Sequence, residues 1–441
     1  MDNNYYLKDY LSKKLNKMDF NFPYNYMDAL VFSSLTYMPF GKIDTFFYEG
    51  YYYEYKIKGL TLEVILEDLL KKDELLKTKF LIKKNKEICE YTKFYEIFEA
   101  TKNNLRYNKI KVIDYKVILD VHNTARKMPC QFACFLFEIE KEKEYVVAYR
   151  GTDSNFEGWI EDLLMIFDDV KAQQESAIFL NKVIEKYKDA KIHITGHSKG
   201  GNCAYYSLIK ADKKENLDGI FFEAPLFNEK FVDEYKDTMY YLKESGKSFF
   251  VNIEHSLISN IYFGHNYSKD EKNTIFVKAH NKTLIKEHNV YSFLVDKNDL
   301  LISKESKISK SFNIAFNEIQ TLPMEELEVS LTCLIRLLGT SSNTSVFNPK
   351  INLIEAFELY VDNFLKLDND TLLVLSKMFG VYYSAILKFQ EANMLDDELL
   401  KYYKIFDFLN IFTQAKNAEE IEKFKLKIDK FRHSAFFRAI K

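Results

Sequence analysis

Glycine and proline are both scarce, at 13 and 6 of 441 residues, about 3% and 1.4% where average proteins carry ~7% and ~5%. Collagen-like repeats, Gly/Ser linkers and proline-rich stalks are thereby excluded. Cysteine is equally sparing: Cys89, Cys130, Cys134, Cys203 and Cys333 are odd in number, include no C-x-x-C pair and lie mostly in apolar surroundings. A disulfide scaffold or a zinc site is not expected, and buried reduced thiols are. Net charge is nearly absent, with 62 Lys+Arg against 65 Asp+Glu, so no global attraction to nucleic acid is expected, because that affinity depends on phosphate neutralisation. The short basic run Lys83, Lys84 and Lys86 reads as a solvated face. No stretch of 18 apolar residues suggests a membrane span, and Met1–Tyr6 lacks the basic and apolar regions of a signal peptide. A cytoplasmic location is therefore the expectation, and no metal or cofactor is expected.

What the chain does have is apolar and aromatic mass. Hydrophobic residues make up 47% and aromatics 16%, with 31 Tyr, 38 Phe and a single Trp, too much apolar surface and too little net charge for disorder. The length is roughly three times the ~150-residue prior for one domain. The few glycines are unevenly spread: Gly151, Gly158, Gly196, Gly200 and Gly201 fall within 51 residues. A chain that otherwise avoids glycine calls for unusual backbone geometry there.

Around that window the pattern alternates between strand and helix. Gln131–Ile139 is an aromatic-rich strand, a charged turn follows, and Tyr145–Tyr149 completes a hairpin. Gln173–Lys188 carries apolar residues at helical spacing, and Ile192–Thr195 is a short strand running straight into glycine. Helix Ala204–Ala211, strand Gly219–Phe222, helix Phe231–Glu244 and strand Ser248–Ile253 continue the alternation. Repeated crossovers of this kind predict an α/β fold with a doubly wound, mainly parallel sheet. From about Leu300 the pattern is helical, over Met324–Leu338, Leu353–Leu367, Thr371–Phe389, Asp397–Phe412 and Glu419–Phe437. The N-terminal part is mixed, with helices expected at Tyr26–Tyr37 and Leu60–Leu76. The expected division is a mainly helical N-terminal segment 1–110 packed on the core, an α/β core 111–300 and a helical C-terminal region 301–441. No internal repeat is present.

Gly196-His197-Ser198-Lys199-Gly200 fits G-x-S-x-G and lies between an apolar strand and a helix. A nucleophile on a strained strand-to-helix turn needs tiny neighbours two residues to either side, and its hydroxyl then stands above the sheet. Ser198 is the candidate nucleophile, and the helix starting behind it makes the Lys199 amide a candidate oxyanion donor. A serine hydroxyl needs a base, and the base a carboxylate to orient it. Downstream lie His255, His265, His280, His288 and His433. Of these His288, in a turn before an apolar run and 90 residues beyond Ser198, suits a catalytic loop. Upstream, Tyr149-Arg150-Gly151-Thr152-Asp153 follows a strand. A turn there could supply a second oxyanion amide from Thr152, with Gly151 permitting close approach; a simple hairpin end is the competing expectation.

These residues resemble a known family. V-V-A-Y-R-G-T-D followed by G-H-S-K-G-G looks like the class 3 lipase pattern. The longer set Q-F-A-C-F-L-F, R-G-T-D-S-N-F-E-G-W-I-E-D-L-L-M and G-H-S-K-G-G-N-C-A-Y-Y resembles the bacterial Mbeg-like family of α/β-hydrolase proteins related to those lipases. The likeness runs from Asp28-Ala29-Leu30-Val31-Phe32 through E-H-N-V-Y-S-F around His288, and more weakly into the helical C-terminus. It implies an α/β-hydrolase fold, with Ser198 as nucleophile and His288 as base, although Glu287, Asn289 and Phe293 replace three letters of the family's Q-H-D-x-x-S-W segment. The lipase acid is an Asp, and the corresponding place here reads Val251-Asn252-Ile253-Glu254-His255-Ser256. Mbeg-like sequences carry an acidic residue one strand earlier, where this chain has Glu223-Ala224-Pro225. Glu223 is therefore the expected acid and Glu254 the alternative. The segment Gly158-Trp159-Ile160-Glu161-Asp162 matches the family's most recognisable stretch; Asp162 is expected to hold the oxyanion loop by hydrogen bonds and Trp159 to pack beneath it.

The resemblance implies a serine hydrolase of lipase or esterase type acting on acyl esters, small molecules or lipids. The alternative is a hydrolase-fold binding or regulatory protein with an impaired site, suggested by the missing Asp and the altered histidine segment. The C-terminal segment Glu419–Lys441, with Phe424, Ile428, Phe431, Phe436 and Phe437 among many Lys and Arg, has the make-up of a helix lying peripherally on an anionic membrane; packing in a core competes with that expectation.

Overall fold

The computed structural model describes residues 5–12, 23–38, 56–81, 91–120, 130–140, 143–152, 156–261, 264–280, 287–296, 299–319, 322–339, 353–391 and 414–434. The basic run 83–86, Cys89, the helix expected over 397–412, and Phe436 and Phe437 lie outside the described residues. The described chain forms two compact units. The first comprises residues 1–122, 128–153 and 168–305, and the second residues 123–127, 154–167 and 306–441.

Eleven strands are described, β1 (Tyr5–Tyr6), β2 (Lys111–Asp120), β3 (Cys130–Glu140), β4 (Glu144–Tyr149), β5 (Lys191–His197), β6 (Leu217–Phe222), β7 (Ser248–Ile253), β8 (Thr274–Val277), β9 (Leu294–Asp296), β10 (Asp299–Leu300) and β11 (Ile302–Ser303). Eight form one sheet in the order β11-β8-β7-β6-β5-β4-β3-β2, and β1, β9 and β10 form a small second one. In the large sheet β4 through β8 run parallel, while β2-β3-β4 and β8-β11 pair antiparallel. Helices Lys171–Lys186, Lys199–Ile209 and Glu229–Glu244 connect the parallel strands. This is the mainly parallel α/β sheet that the pattern predicts, and it fits the α/β-hydrolase fold that the resemblance implies. Strands β4 and β5 are almost continuously buried, as parallel strands covered on both faces should be.

The hairpin β3-β4 and the strand-helix run through β7 follow the sequence pattern closely, because each is a long apolar run bounded by turn residues. Strand β2 goes beyond that pattern. Its sequence, K-V-I-D-Y-K-V-I-L-D, mixes charge into an apolar run and takes its identity from nine register partners in β3 rather than from local preference. The helices Tyr91–Asn103 and Lys307–Ile319 add to the segments expected from the sequence.

The high aromatic content is explained inside the first unit. Tyr205, Phe221, Phe227 and Phe250 pack with ring centroids 5.1–5.5 Å apart, within the range where rings attract edge-to-face or offset. The second unit has its own core, built from Leu327, Leu331 and Leu337 of helix Met324–Leu338, Val361 and Phe364 of Leu353–Lys366, Leu372 and Leu375 of Asn369–Glu391, and Ile421, Phe424 and Ile428 of Ala418–Arg432. Phe424 and Ile428, candidates for a membrane-facing stripe, are buried in that core, while Phe431 is exposed. Cys130, Cys134, Cys203 and Cys333 are buried. Among the described residues, no helix is long and apolar enough to cross a membrane.

At the end of the sheet where β4, β5 and β6 begin, His193 is buried between two carboxylates, with Nδ1 2.5 Å from Asp218 and Nε2 2.7 Å from Glu144. Tyr24 stacks on its ring at 4.0 Å. Burial works against the imidazolium, but the hydrogen bonds to Asp218 and Glu144 outweigh it and raise the His193 pKa. A raised folded-state pKa adds stability that is fully present below the unfolded histidine value of about 6.5 and is lost as pH climbs through the folded value. His193→Gln should therefore cost about 1.5–3 kcal/mol below pH 6.5 and clearly less at pH 9. Urea unfolding at the two pH values checks this, and an equal loss at both would show that the charge contributes nothing.

Candidate active site

Parallel register brings three chain segments together at the carboxyl ends of the central strands. Tyr149 pairs with Gly196 across β4 and β5, and His197 pairs with Phe222 across β5 and β6. The residues that follow each strand, Gly151-Thr152, Ser198 and Glu223, therefore emerge side by side. In open α/β sheets this is the edge where ligands bind.

Ser198 sits on a sharp turn between β5 and the helix Lys199–Ile209, with φ 59° and ψ −130°. Among the described residues, Ser198 and Glu223 (φ 48°) are the only non-glycine residues with positive φ. Such backbone costs of order 1–3 kcal/mol per residue. The turn holds because its neighbours have no side chains. A Cβ on Gly196 would lie 2.2 Å from the Gly200 carbonyl oxygen, and one on Gly200 would lie 2.3 Å from that of Tyr149. The Ser198 N–H donates to the Phe222 carbonyl at 2.9 Å, which ties the turn to β6.

His288, just before the short 3-10 turn Val290–Ser292, places Nε2 2.8 Å from Ser198 Oγ. Its Nδ1 lies 3.1 Å from Glu223 Oε2. The Glu223 side chain is wholly buried while His288 is about 20% exposed, so only the histidine edge faces solvent. The Glu223 carboxylate also accepts the Ile253 N–H at 2.8 Å and the Ser256 hydroxyl at 3.0 Å. Ser256 in turn accepts the Ser259 N–H at 3.1 Å. Lys269 donates to the Ser259 carbonyl at 3.0 Å and lies 4.8 Å over the Phe250 ring. Burial pushes its pKa down to about 7 against the attraction of Glu223 and Glu305. A buried carboxylate needs hydrogen-bond partners, and Glu223 has three, Ile253 on Oε1 and Ser256 and His288 on Oε2.

Of the two acids the sequence offers, Glu223 meets His288, whereas Glu254 accepts from the Ser303 hydroxyl and lies 3.7 Å from His255. His280 and His433 are exposed. Lys199 opens the helix behind Ser198. Gly151 abuts Ser198 so closely that a Cβ on it would lie 3.2 Å from Ser198 Cβ. Thr152, the next residue, is half-buried. Gly158, Trp159 and Asp162 lie on the helix Phe156–Leu164, which belongs to the second unit. Trp159 keeps 42% of its surface exposed.

Three neighbours of the site escape motif reasoning. Ser256 and Lys269 support the Glu223 side, and His197, the variable letter of the serine motif, is buried beside His288 with ring centroids 4.8 Å apart. A histidine at the end of a buried strand must find hydrogen-bond partners, which is the one sequence signal that singles His197 out. Among the described residues, no group of three His, Cys, Asp or Glu side chains could hold a metal ion.

Among solved structures, the Rhizomucor miehei lipase propeptide complex is 16% identical, with 41% of this chain and 58% of that chain covered and a TM-score of 0.28. The M37 lipase is 15% identical, with 63% and 81% covered and a TM-score of 0.28. The match thus spans less than two thirds of the Rhizomucor miehei lipase. No curated protein matches the chain. The family model described as Mbeg1-like matches residues 101–335, more than half of the chain and all of the Ser198, Glu223 and His288 segments. The chain therefore belongs to the Mbeg1-like family.

Proposed function

We propose that this protein is a serine hydrolase of acyl esters, with Ser198 as nucleophile, His288 as general base and acid, and Glu223 as the orienting carboxylate. The observation that carries this reading is that one imidazole bridges a strained serine at 2.8 Å and a buried carboxylate at 3.1 Å. With Glu223 ionised, His288 holds its proton on Nδ1 and offers the Nε2 lone pair to the serine. Ser198 Oγ bonds to the ester carbonyl carbon as its proton passes to Nε2, and the negative charge forms on the carbonyl oxygen. The amides of Lys199 and Thr152 serve as donors to that oxyanion, where preorganised N–H groups contribute most. Collapse breaks the bond to the alcohol oxygen, which takes the proton from Nε2 and leaves an acyl-serine. Water then repeats the sequence, releasing the acid and restoring Ser198.

A fluorophosphonate probe tests this directly. Wild-type protein should be labelled on Ser198, the Ser198→Ala variant should not, and a panel of p-nitrophenyl esters of short and long acyl chains should be hydrolysed with the same dependence. Wild-type protein that takes no label would favour a hydrolase-fold binding or regulatory protein.

A further inference from the structure

His197 makes two hydrogen bonds that the triad does not use. Its Nε2 lies 2.6 Å from the main-chain oxygen of His288, and its Nδ1 lies 3.0 Å from the Tyr37 hydroxyl. A carbonyl oxygen can only accept, so Nε2 carries the hydrogen. Nδ1 of the neutral ring is then the acceptor, and Tyr37 donates to it. Both hydrogen positions follow from the partners alone.

Each end of this chain is anchored. Tyr37 follows the helix Tyr26–Leu35, and that end of the helix is gripped by the buried Arg150, whose guanidinium donates to the Thr36 and Met38 carbonyls. His197 itself ends β5, the strand that delivers Ser198. A Cβ on Gly151 would fall 2.4 Å from both the His197 carbonyl oxygen and the Tyr37 hydroxyl. The loop carrying Thr152 is thus pressed on the same pair. His288, by contrast, lies in a turn rather than in the sheet, and its ring must meet two partners at once.

We propose that His197 and Tyr37 are positioning residues, fixing the backbone of His288 relative to the nucleophile turn so that one imidazole spans Ser198 and Glu223. The inference rests on the hydrolase reading for its kinetic test, and on geometry alone for its structural one. A lysine or arginine could also donate to the His288 carbonyl, but would place a permanent cation beside a ring that must itself become positive. Burial, reinforced by the nearness of His288, holds the His197 pKa well below its ordinary value. The donor therefore stays neutral through the catalytic cycle.

Two amide variants separate the hydrogen bonds. The Gln side chain reaches as far as imidazole Nε2 and retains a donor, whereas Asn reaches only as far as Nδ1. His197→Asn should lower the first-order rate of fluorophosphonate labelling at saturating probe by about 10- to 100-fold, the scale expected for misplacement near 1 Å, with the probe's binding constant within about twofold. His197→Gln should recover the rate to within about threefold of wild type. Tyr37→Phe, which removes only one hydroxyl, should lower it by about three- to tenfold. Equal losses for Asn and Gln, or an unchanged rate in the Asn variant, would overturn the proposal. The second readout is the downfield proton resonance of the His288 Nδ1–H bound to Glu223, identified by its loss in His288→Ala. It should persist in the Gln variant and vanish in the Asn variant, and its persistence in both would overturn the proposal even if no probe reacts. Absence of labelling in wild-type protein would instead count against the hydrolase reading alone.

Discussion

Glu223→Gln will lower ester hydrolysis by about four orders of magnitude while leaving the fold intact, the scale seen when an orienting carboxylate becomes an amide. The cause is the tautomer. Glu223 Oε2 lies 3.1 Å from His288 Nδ1 and holds the proton there. An amide NH2 at that position donates to Nδ1 and moves the ring hydrogen to Nε2, which then cannot accept from Ser198. The Ile253 N–H and the Ser256 hydroxyl already donate to the same side chain. The main-chain N–H of Ile253, on Oε1, can only donate and so holds the glutamine oxygen there, leaving the NH2 group at the Oε2 position facing the histidine, while the Ser256 hydroxyl on that side can turn to accept. Glu254→Gln is the matched control, expected within about twofold of wild type, because Glu254 faces Ser303 and His255. Comparing kcat/KM of the two variants on a p-nitrophenyl ester checks the assignment. A large loss in the Glu254 variant with none in the Glu223 variant would reverse it.

The second large effect concerns stability. Asp28 is buried on the helix Tyr26–Leu35 and accepts two hydrogen bonds from the Arg106 guanidinium, both at 2.6 Å, and one from the Tyr107 hydroxyl at 2.8 Å. It also accepts the Asn25 N–H at 3.1 Å, closing a capping box. Removing one partner leaves an uncompensated buried charge, which costs about 3–5 kcal/mol. Asp28→Ala and Arg106→Met should each destabilise the first unit by that amount, whereas Asp28→Leu with Arg106→Met should lose far less than the sum, because no charge is stranded. Calorimetric unfolding measures all three. Strict additivity would mean that the pair acts as two independent contacts. The same helix leads into Tyr37, so loss of Asp28 should also slow labelling of Ser198.

Much of this architecture is local enough to read from one strand of text. Runs such as Q-F-A-C-F-L-F and Y-V-V-A-Y are bounded by charged turns, and the helices of the second unit carry apolar residues every three or four positions. G-H-S-K-G declares its own geometry, since glycines at plus and minus two serve no purpose in an ordinary helix start. The strand Lys111–Asp120 is less legible: its lysines and aspartates argue against burial, and only pairing with β3 makes it a strand.

The choice between Glu223 and Glu254 marks the boundary most sharply. Both are glutamates just past the end of a buried strand, and their local sequences are equivalent in hydropathy and turn character. By itself the sequence determined the fold class and the sharp turn around Ser198, because those depend on spacing along the chain, and the choice of His288 among five downstream histidines rested also on the family resemblance. Which carboxylate completes the bridge, and that His197 and Tyr37 grip the histidine's backbone, were decided only by tertiary structure. Parallel register sets which strand ends are neighbours, and the positive φ at Glu223 aims its side chain across that edge while Glu254 turns toward β11.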